Sequence, residues 1–401
     1  MLGVQGGNMI KTLQHRGSVS RFRLPIATAA LLAFALAPTS QAQTFTVLYN
    51  FGSYGANPYA GLIQDKAGNL YGTTLNGGER DAGTVFELDT TGAVTTLYTF
   101  TGRTGDHSKR PYAGVVRDDG GNLWGTFEKG IDHRLYQGFV YRITEGKEYK
   151  PHIFTGPPSD GQFPVAGLMR DQTGTLYGTT GGGGTVGDGT VYKLDAGKET
   201  ILYNFTGMPS DGAGPQGVLV RDAAGNLFGT TEEGGASNFG TVFKLDTTGT
   251  ETVLHSFTLS DGPPSPDLTL DDKGNLYGAT LENANAGSVF KIDTAGDYNI
   301  LYTFLGGTDG AEVLGPLAID PSGNLYGTTR YGGNLSCGQS GEGCGEVFEL
   351  KTTGEKIAMH TFSGPDGMAP SSGVIRDEAG NLYGTAPRGG TGAGVVFKIT
   401  P

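Results

Sequence analysis

One tetrapeptide returns seven times along this 401-residue chain. It reads Asn69-Leu70-Tyr71-Gly72, Asn122-Leu123-Trp124-Gly125, Thr175-Leu176-Tyr177-Gly178, Asn226-Leu227-Phe228-Gly229, Asn275-Leu276-Tyr277-Gly278, Asn324-Leu325-Tyr326-Gly327 and Asn381-Leu382-Tyr383-Gly384. The leucines lie 53, 53, 51, 49, 49 and 57 residues apart. A period near fifty with strand-like content marks one supersecondary unit, stacked because a single unit cannot bury its own apolar face. Length alone would allow two or three domains. Seven like units with no unrelated stretch between them predict one closed body instead. The 71 glycines fall at turn positions rather than every third residue, which excludes a collagen pattern. Apolar and aromatic residues recur in fixed columns, which excludes a disordered chain.

Each unit holds four short alternating segments, in the first unit Gly61 to Asp65, Asn69 to Thr74, Gly83 to Asp89 and Thr95 to Phe100. Period-two alternation and aromatic or β-branched content make them strands, here called a, b, c and d. The a–b link is Asp-x-x-Gly in all seven units, from Asp65…Gly68 to Asp377…Gly380. Asp at the first turn position bonds its own backbone, and Gly takes the φ > 0 position. We read these aspartates as turn residues rather than calcium ligands. The order is permuted: the chain's first strand, Val47 to Phe51, is a d strand, and its last, ending at Thr400, is a c strand. An N-terminal d strand can complete the last sheet and remove the edges an open array would expose. The expected fold is all-β, a seven-bladed β-propeller of four-stranded blades closed by its N-terminal strand.

Residues 1–42 differ in kind. Lys11, Arg16, Arg21 and Arg23 precede an apolar run from Leu24 to Ala37, and Ser40-Gln41-Ala42 supplies small residues for cleavage. This reads as a signal peptide, its run short of the ~20 residues a membrane span needs. The expected organisation is a signal over 1–42 and the propeller over 43–401, in an exported, secreted or periplasmic protein with no transmembrane segment after cleavage. The formal net charge is −12, and removing four basic residues with no acidic one makes it −12 − 4 = −16. That argues against nucleic acid as a partner. Cys337 and Cys344 share one loop; export permits a disulfide between them, and no accompanying ligand set suggests a metal.

Gly225 to Thr231, Gly234-Gly235 and Gly240 to Asp246 spell Gly-Asn-Leu-Phe-Gly-Thr-Thr, Gly-Gly and Gly-Thr-Val-Phe-Lys-Leu-Asp. This unit resembles the GloVer, or Gloeo/Verruco, tandem repeat of exported bacterial "choice-of-anchor" proteins, and the resemblance covers about residues 45–401. It implies an extracellular or surface location and a propeller-like repeat. It implies no reaction and carries no catalytic residues.

Variable loops on a rigid scaffold are where recognition sits, so any site is expected on the face shared by the d–a and b–c loops. Gly182 to Gly187 matches G-x-G-x-x-G, but it lies between two strands, lacks the helix that nucleotide binding needs, and reads as a flexible loop. Asp-Gly recurs in d–a loops at Asp160, Asp211, Asp261, Asp309 and Asp366. It reads as a turn, the alternative being a carboxylate ring for cations or sugar hydroxyls. His152, His255 and His360 occupy the column of Tyr49, Tyr98, Tyr203 and Tyr302 and read as substitutes for Tyr. Arg117, Arg170, Arg221 and Arg376 end strand a and read as partners of the turn aspartates. The second unit departs most from the repeat, and its loops supply the candidate ligand-binding set: His107, Arg110, Asp132, His133 and Arg134, beside Trp124. His there would act as acid–base or hydrogen-bond partner, and Arg would clamp a carboxylate. No catalytic motif, cofactor or metal site is expected. The reading is a monomeric binding module for an extracellular glycan or surface protein. The alternatives are an extracellular lyase or hydrolase on the same loop face, or a purely structural repeat.

Overall fold

The computed structural model describes residues 43–52, 55–102, 110–128, 137–281, 286–338 and 341–401. It is a seven-bladed β-propeller of antiparallel four-stranded blades. Blade 1 pairs Ile63–Gln64, Leu70–Thr74, Thr84–Leu88 and Val94–Thr99 in the order a–b–c–d. Blades 2 to 6 repeat that order, with strand b at Leu123–Phe127, Leu176–Thr180, Leu227–Thr231, Leu276–Thr280 and Leu325–Tyr331. Blade 7 takes a, b and c from Val374–Arg376, Leu382–Ala386 and Val395–Thr400, and its outer strand from Thr44–Asn50. The register runs from Thr44 opposite Thr400 to Asn50 opposite Val395, so the first and last described strands close the ring.

Each position of the repeated motif has a separate physical job. The turn carboxylate accepts bonds from the backbone two and four residues on, as Asp65 Oδ1 does from Ala67 N and Asn69 N at 2.9 Å each. The motif's Asn adds a side-chain bond, Asn381 Nδ2 to Asp377 Oδ2 at 2.7 Å. The Tyr hydroxyl completes the cage: Tyr71, Tyr177, Tyr277, Tyr326 and Tyr383 donate to the Asp six residues earlier, at 3.0–3.3 Å. The Gly is a packing requirement, since the strand-c ring lies across its backbone. A methyl group on Gly72 would sit 2.8 Å from Phe86 Cζ, and one on Gly278 would sit 2.5 Å from Phe290 Cζ. The following Thr reaches the next blade, as in Thr73 Oγ1 to Ala113 O, Thr126 Oγ1 to Ala166 O and, across the closure, Thr385 Oγ1 to Ala60 O at 3.2 Å.

Aromatic rings join the blades. The Phe after each strand d is buried and packs edge-on against the strand-c ring of the next blade. The seven contacts are Phe51–Phe86, Phe100–Tyr141, Phe154–Tyr192, Phe205–Phe243, Phe257–Phe290, Phe304–Phe348 and Phe362–Phe397, with centroids 5.0–5.6 Å apart. Edge-to-face pairs contribute roughly 0.5–1.5 kcal/mol each beyond area burial. Strand a is shorter than expected, two or three paired residues in place of five. Its first half packs against neighbouring backbone instead of pairing: a methyl on Gly114 would lie 3.1 Å from Gly61 O, and one on Gly373 2.2 Å from Pro316 O.

The terminal arginines differ in part from expectation. Arg170 Nη2 meets Asp119 Oδ2 in the turn of the preceding blade at 2.8 Å. Arg117 and Arg221 instead lie over the preceding blade's Tyr71 and Tyr177 rings. Cys337 and Cys344 form a disulfide within one b–c loop.

Candidate functional site

The d–a and b–c loops share one face, and they are tied to each other. Gly161–Gln162 pairs with Gly182–Gly183, Gly212–Ala213 with Glu233–Gly234, and Ala311–Val313 with the end of strand b at Thr329 and Tyr331. Single bridges do the same at Ala56–Asn76, Pro264–Thr280 and Met368–Arg388. Gly182 to Gly187 is thus partly a paired strand rather than a free loop. The Gly-Gly carried by five of the b–c loops makes this approach possible: Gly183 has φ 84°, and a methyl there would lie 2.6 Å from Asp160 O. Two successive positive-φ glycines over a neighbouring backbone leave no room for a side chain.

Of the second unit's candidates, His107, Asp132, His133 and Arg134 lie outside the described residues. Arg110 is exposed on the loop face, with φ 65°, its N–H bonded to Ala82 O at 2.8 Å. Trp124 starts strand b at the other end. Its Nε1 donates to Asp118 Oδ2 at 2.9 Å, the role of the motif Tyr, and the Arg142 guanidinium lies over its ring at 5.3 Å. The structure therefore does not bring Trp124 and Arg110 together at one end of the blade.

The loop face carries an organised set of polar groups at the outer junctions between blades. The residue two before each buried Phe is Tyr or His, and its ring packs edge-on against that Phe, from Tyr49–Phe51 to His360–Phe362. His152, His255 and His360 do stand in for Tyr. Among the described residues five of these side chains face a d–a carboxylate: Tyr203 OH bonds Asp211 at 2.9 Å, Tyr302 OH bonds Asp309 at 2.8 Å, His360 Nε2 lies 2.9 Å from Asp366, His152 Nε2 lies 3.7 Å from Asp160, and His255 Nε2 lies 3.9 Å from Asp261. Each Asp is also held by its own loop, Asp160 by Thr155 N, Thr155 Oγ1 and Gly161 N at 2.7–2.9 Å. Burial works against the charge on Asp160, but the nearby His152 and the bonds from Thr155 outweigh it and keep its pKa low.

The residue six before the buried Phe of the next blade completes each junction. That column reads Val94, Glu148, Glu199, Glu251, Tyr298, Lys356 and Phe45. Burial and the nearby Asp211 push the Glu251 carboxyl up to about 7, and burial and Asp160 raise that of Glu199. Tyr298 and Phe45 instead stack on His255 and His360 at 3.8 and 3.5 Å. Burial lowers both of these imidazoles, against the opposing pull of Asp261 and Asp366. Sequence reasoning recognised the Tyr/His column but missed Glu199 and Glu251. Charge in a column otherwise holding Val, Tyr and Phe was the available signal.

The same face exposes apolar side chains. Among the described residues six of nine exposed large apolar side chains lie in its loops: Tyr112, Val186, Met208, Leu259, Leu305 and Leu335. Leu305 is 82% exposed and Leu259 69%. Between two of these loops lies an open groove of about 570 Å³ lined by Ser237, Phe239, Thr258, Leu259 and Ser260.

Similar solved structures carry the fold. An extracellular domain assigned to a one-component system of B. thetaiotaomicron aligns at TM-score 0.54 and 14% identity, over 89% of this chain and 41% of that one. The chain thus spans less than half of that protein. A gluconolactonase of Xanthomonas campestris aligns at TM-score 0.46 and 13% identity, over 89% of both chains. No curated protein matches. The repeat itself is more specific: the model of the Gloeobacter/Verrucomicrobia repeat matches residues 32–137 and 134–341. Those spans run from the N-terminal strand to strand b of blade 6, more than half of the chain, and the chain belongs to the Gloeobacter/Verrucomicrobia repeat family.

Proposed function

We propose that the protein is an exported binding module and that the d–a/b–c loop face is its binding surface. The carrying observation is that six of the nine exposed large apolar side chains among the described residues lie in these loops, and that one of them, Leu259, lines an open groove with Phe239. Monomeric proteins rarely leave large apolar groups clustered without a partner. Ser237, Thr258 and Ser260 set hydroxyls beside Phe239 and Leu259, an arrangement suited to a sugar's alternating C–H and O–H faces. An extracellular glycan is therefore the preferred ligand, and a surface protein is the other partner class. Export rests on the basic-then-apolar pattern of residues 1–42, and the Cys337–Cys344 disulfide supports an oxidising compartment. Among the described residues no helix is long and apolar enough to cross a membrane.

Thermal-shift and glycan-array measurements on the wild type and on Leu259→Asp test this reading. A ligand that raises the melting point in proportion to concentration, and loses that effect in Leu259→Asp, supports it. A ligand unaffected by Leu259→Asp places binding elsewhere and refutes the groove. The lyase or hydrolase reading depends on His107 and His133. It requires turnover that His107→Ala and His133→Ala abolish, whereas in a binding module these changes only weaken affinity.

A further inference from the structure

Among the described residues the junction between blades 2 and 3 has its own chemistry. His152 closes strand d of blade 2, Asp160 lies in the following d–a loop, and Glu199 begins strand d of blade 3. One donor atom from each lies within 4.8 Å of the other two. His152 Nε2 and Glu199 Oε1 are both fully buried without a hydrogen-bond partner among the described residues. Asp160 is 7% exposed, and among the described residues neither carboxylate has a Lys or Arg ion pair. Orphaned buried polar atoms cost roughly 1–3 kcal/mol each. Two of them converging on a third donor point to something bound between them.

The repeat supplies its own comparisons. At the blade 5–6 junction the column position of Glu199 holds Lys356, whose ammonium lies 3.4 Å from Asp309 Oδ1 and also contacts Glu346. There two carboxylates facing each other are bridged by a cation that belongs to the chain. At the blade 3–4 junction Asp211 and Glu251 face each other as Asp160 and Glu199 do, but Tyr203 donates to Asp211 and no nitrogen ligand is present. Among the described residues only the blade 2–3 junction joins two carboxylates to an imidazole without an ammonium.

We propose that His152, Asp160 and Glu199 bind a first-row divalent cation, Zn²⁺ or Mn²⁺, that clamps blades 2 and 3 together at the loop face. One imidazole nitrogen and two carboxylate oxygens suit these ions. Ca²⁺ prefers six to eight oxygens, and Mg²⁺ a largely hydrated octahedron, so both are disfavoured. The cation does for this junction what Lys356 does for the junction of blades 5 and 6, and the remaining positions are filled by water or an anionic ligand group.

The whole chain, stripped with EDTA and dialysed into metal-free buffer, is titrated with Zn²⁺, Mn²⁺, Ca²⁺ and Mg²⁺ by calorimetry and thermal shift. The expected result is one equivalent of Zn²⁺ or Mn²⁺, a raised melting point, and binding at least tenfold tighter than for Ca²⁺ or Mg²⁺. His152→Tyr restores the commoner residue of the column and should fold. It and Glu199→Gln should weaken binding at least tenfold, while Glu251→Gln leaves it unchanged. Co²⁺ absorption on the wild type gives a readout independent of the variants, its ligand-field bands reporting an N/O₂ donor set. Absence of a bound equivalent overturns the proposal. So does unchanged affinity in a folded His152→Tyr variant, or a Co²⁺ spectrum no different from that of the hydrated ion.

Discussion

Tyr192→Phe and Tyr177→Phe make the same chemical change in the same blade, and the structure assigns them opposite signs. Tyr192 is fully buried, and its hydroxyl has no partner among the described residues. That oxygen lies against the backbone of Gly178, 2.5 Å from where a methyl group there would be. A buried hydroxyl without a bond costs about 1–3 kcal/mol. Removing one oxygen leaves a void smaller than a methyl group, worth less than about 1 kcal/mol. Tyr192→Phe should therefore stabilise the fold by about 1–2 kcal/mol. Five blades already carry Phe in this column, at Phe86, Phe243, Phe290, Phe348 and Phe397. Tyr177 instead donates to Asp171 Oδ2 at 3.2 Å. Losing that long, partly exposed bond to a charged acceptor should cost about 1 kcal/mol. Tyr141→Phe repeats the first experiment in blade 2. The two stabilising changes share no partner, so they should add to about 2–4 kcal/mol. Urea midpoints with unchanged m-values read these differences directly. A destabilised Tyr192→Phe would mean that the hydroxyl has a partner, and equal changes in both variants would mean that its burial decides nothing.

Three further outcomes follow from the packing. Phe51→Ala should cost about 3–5 kcal/mol, because Phe51 is the rung between blades 7 and 1, and deleting residues 43–50 should shift the protein to higher mass in size-exclusion chromatography by exposing the edge of Val395–Thr400. Glu251 has a folded pKa of about 7 against an ordinary 4.5, so the native state holds the extra proton and stability falls as pH rises between those values. Glu251→Gln should gain about 1–2 kcal/mol above pH 7 after solvent screening and converge with the parent below pH 4.5, in melting curves taken across that range. Gly278→Ala, which places a methyl 2.5 Å from Phe290, should lower the stability read from urea unfolding by about 3 kcal/mol; Gly296→Ala, at φ 92° with open space around it, should lower it by only about 1 kcal/mol.

The blade count and strand order were legible because each strand carries its own period, and Asp-x-x-Gly marks each turn. The circular closure was legible from the displaced d strand at Val47 to Phe51. The meaning of the motif's Tyr and Gly was not, because both act across strands: Tyr71 on a turn six residues back, and Gly72 under a ring on strand c. Trp124 looked exceptional as a lone residue type, yet its Nε1 does what a Tyr hydroxyl does one blade earlier. His152, Asp160 and Glu199 escaped notice for a different reason. Each belongs to a column with an ordinary structural role, and only packing one blade against the next brings the three columns into register.

The pairing of Thr44 with Thr400 makes residues 44–400 a nearly closed loop. Six of the seven blades are assembled from neighbouring sequence, but the seventh waits for the last residues to emerge. Until then the leading strand has no sheet to join, and the trailing sheet has no outer edge. That wait sets the contact order of the fold and its slowest search. It also makes the position of the termini arbitrary to the finished ring: a gene that joined residue 401 to residue 43 and opened a c–d turn elsewhere would encode the same body with its seam moved to another blade.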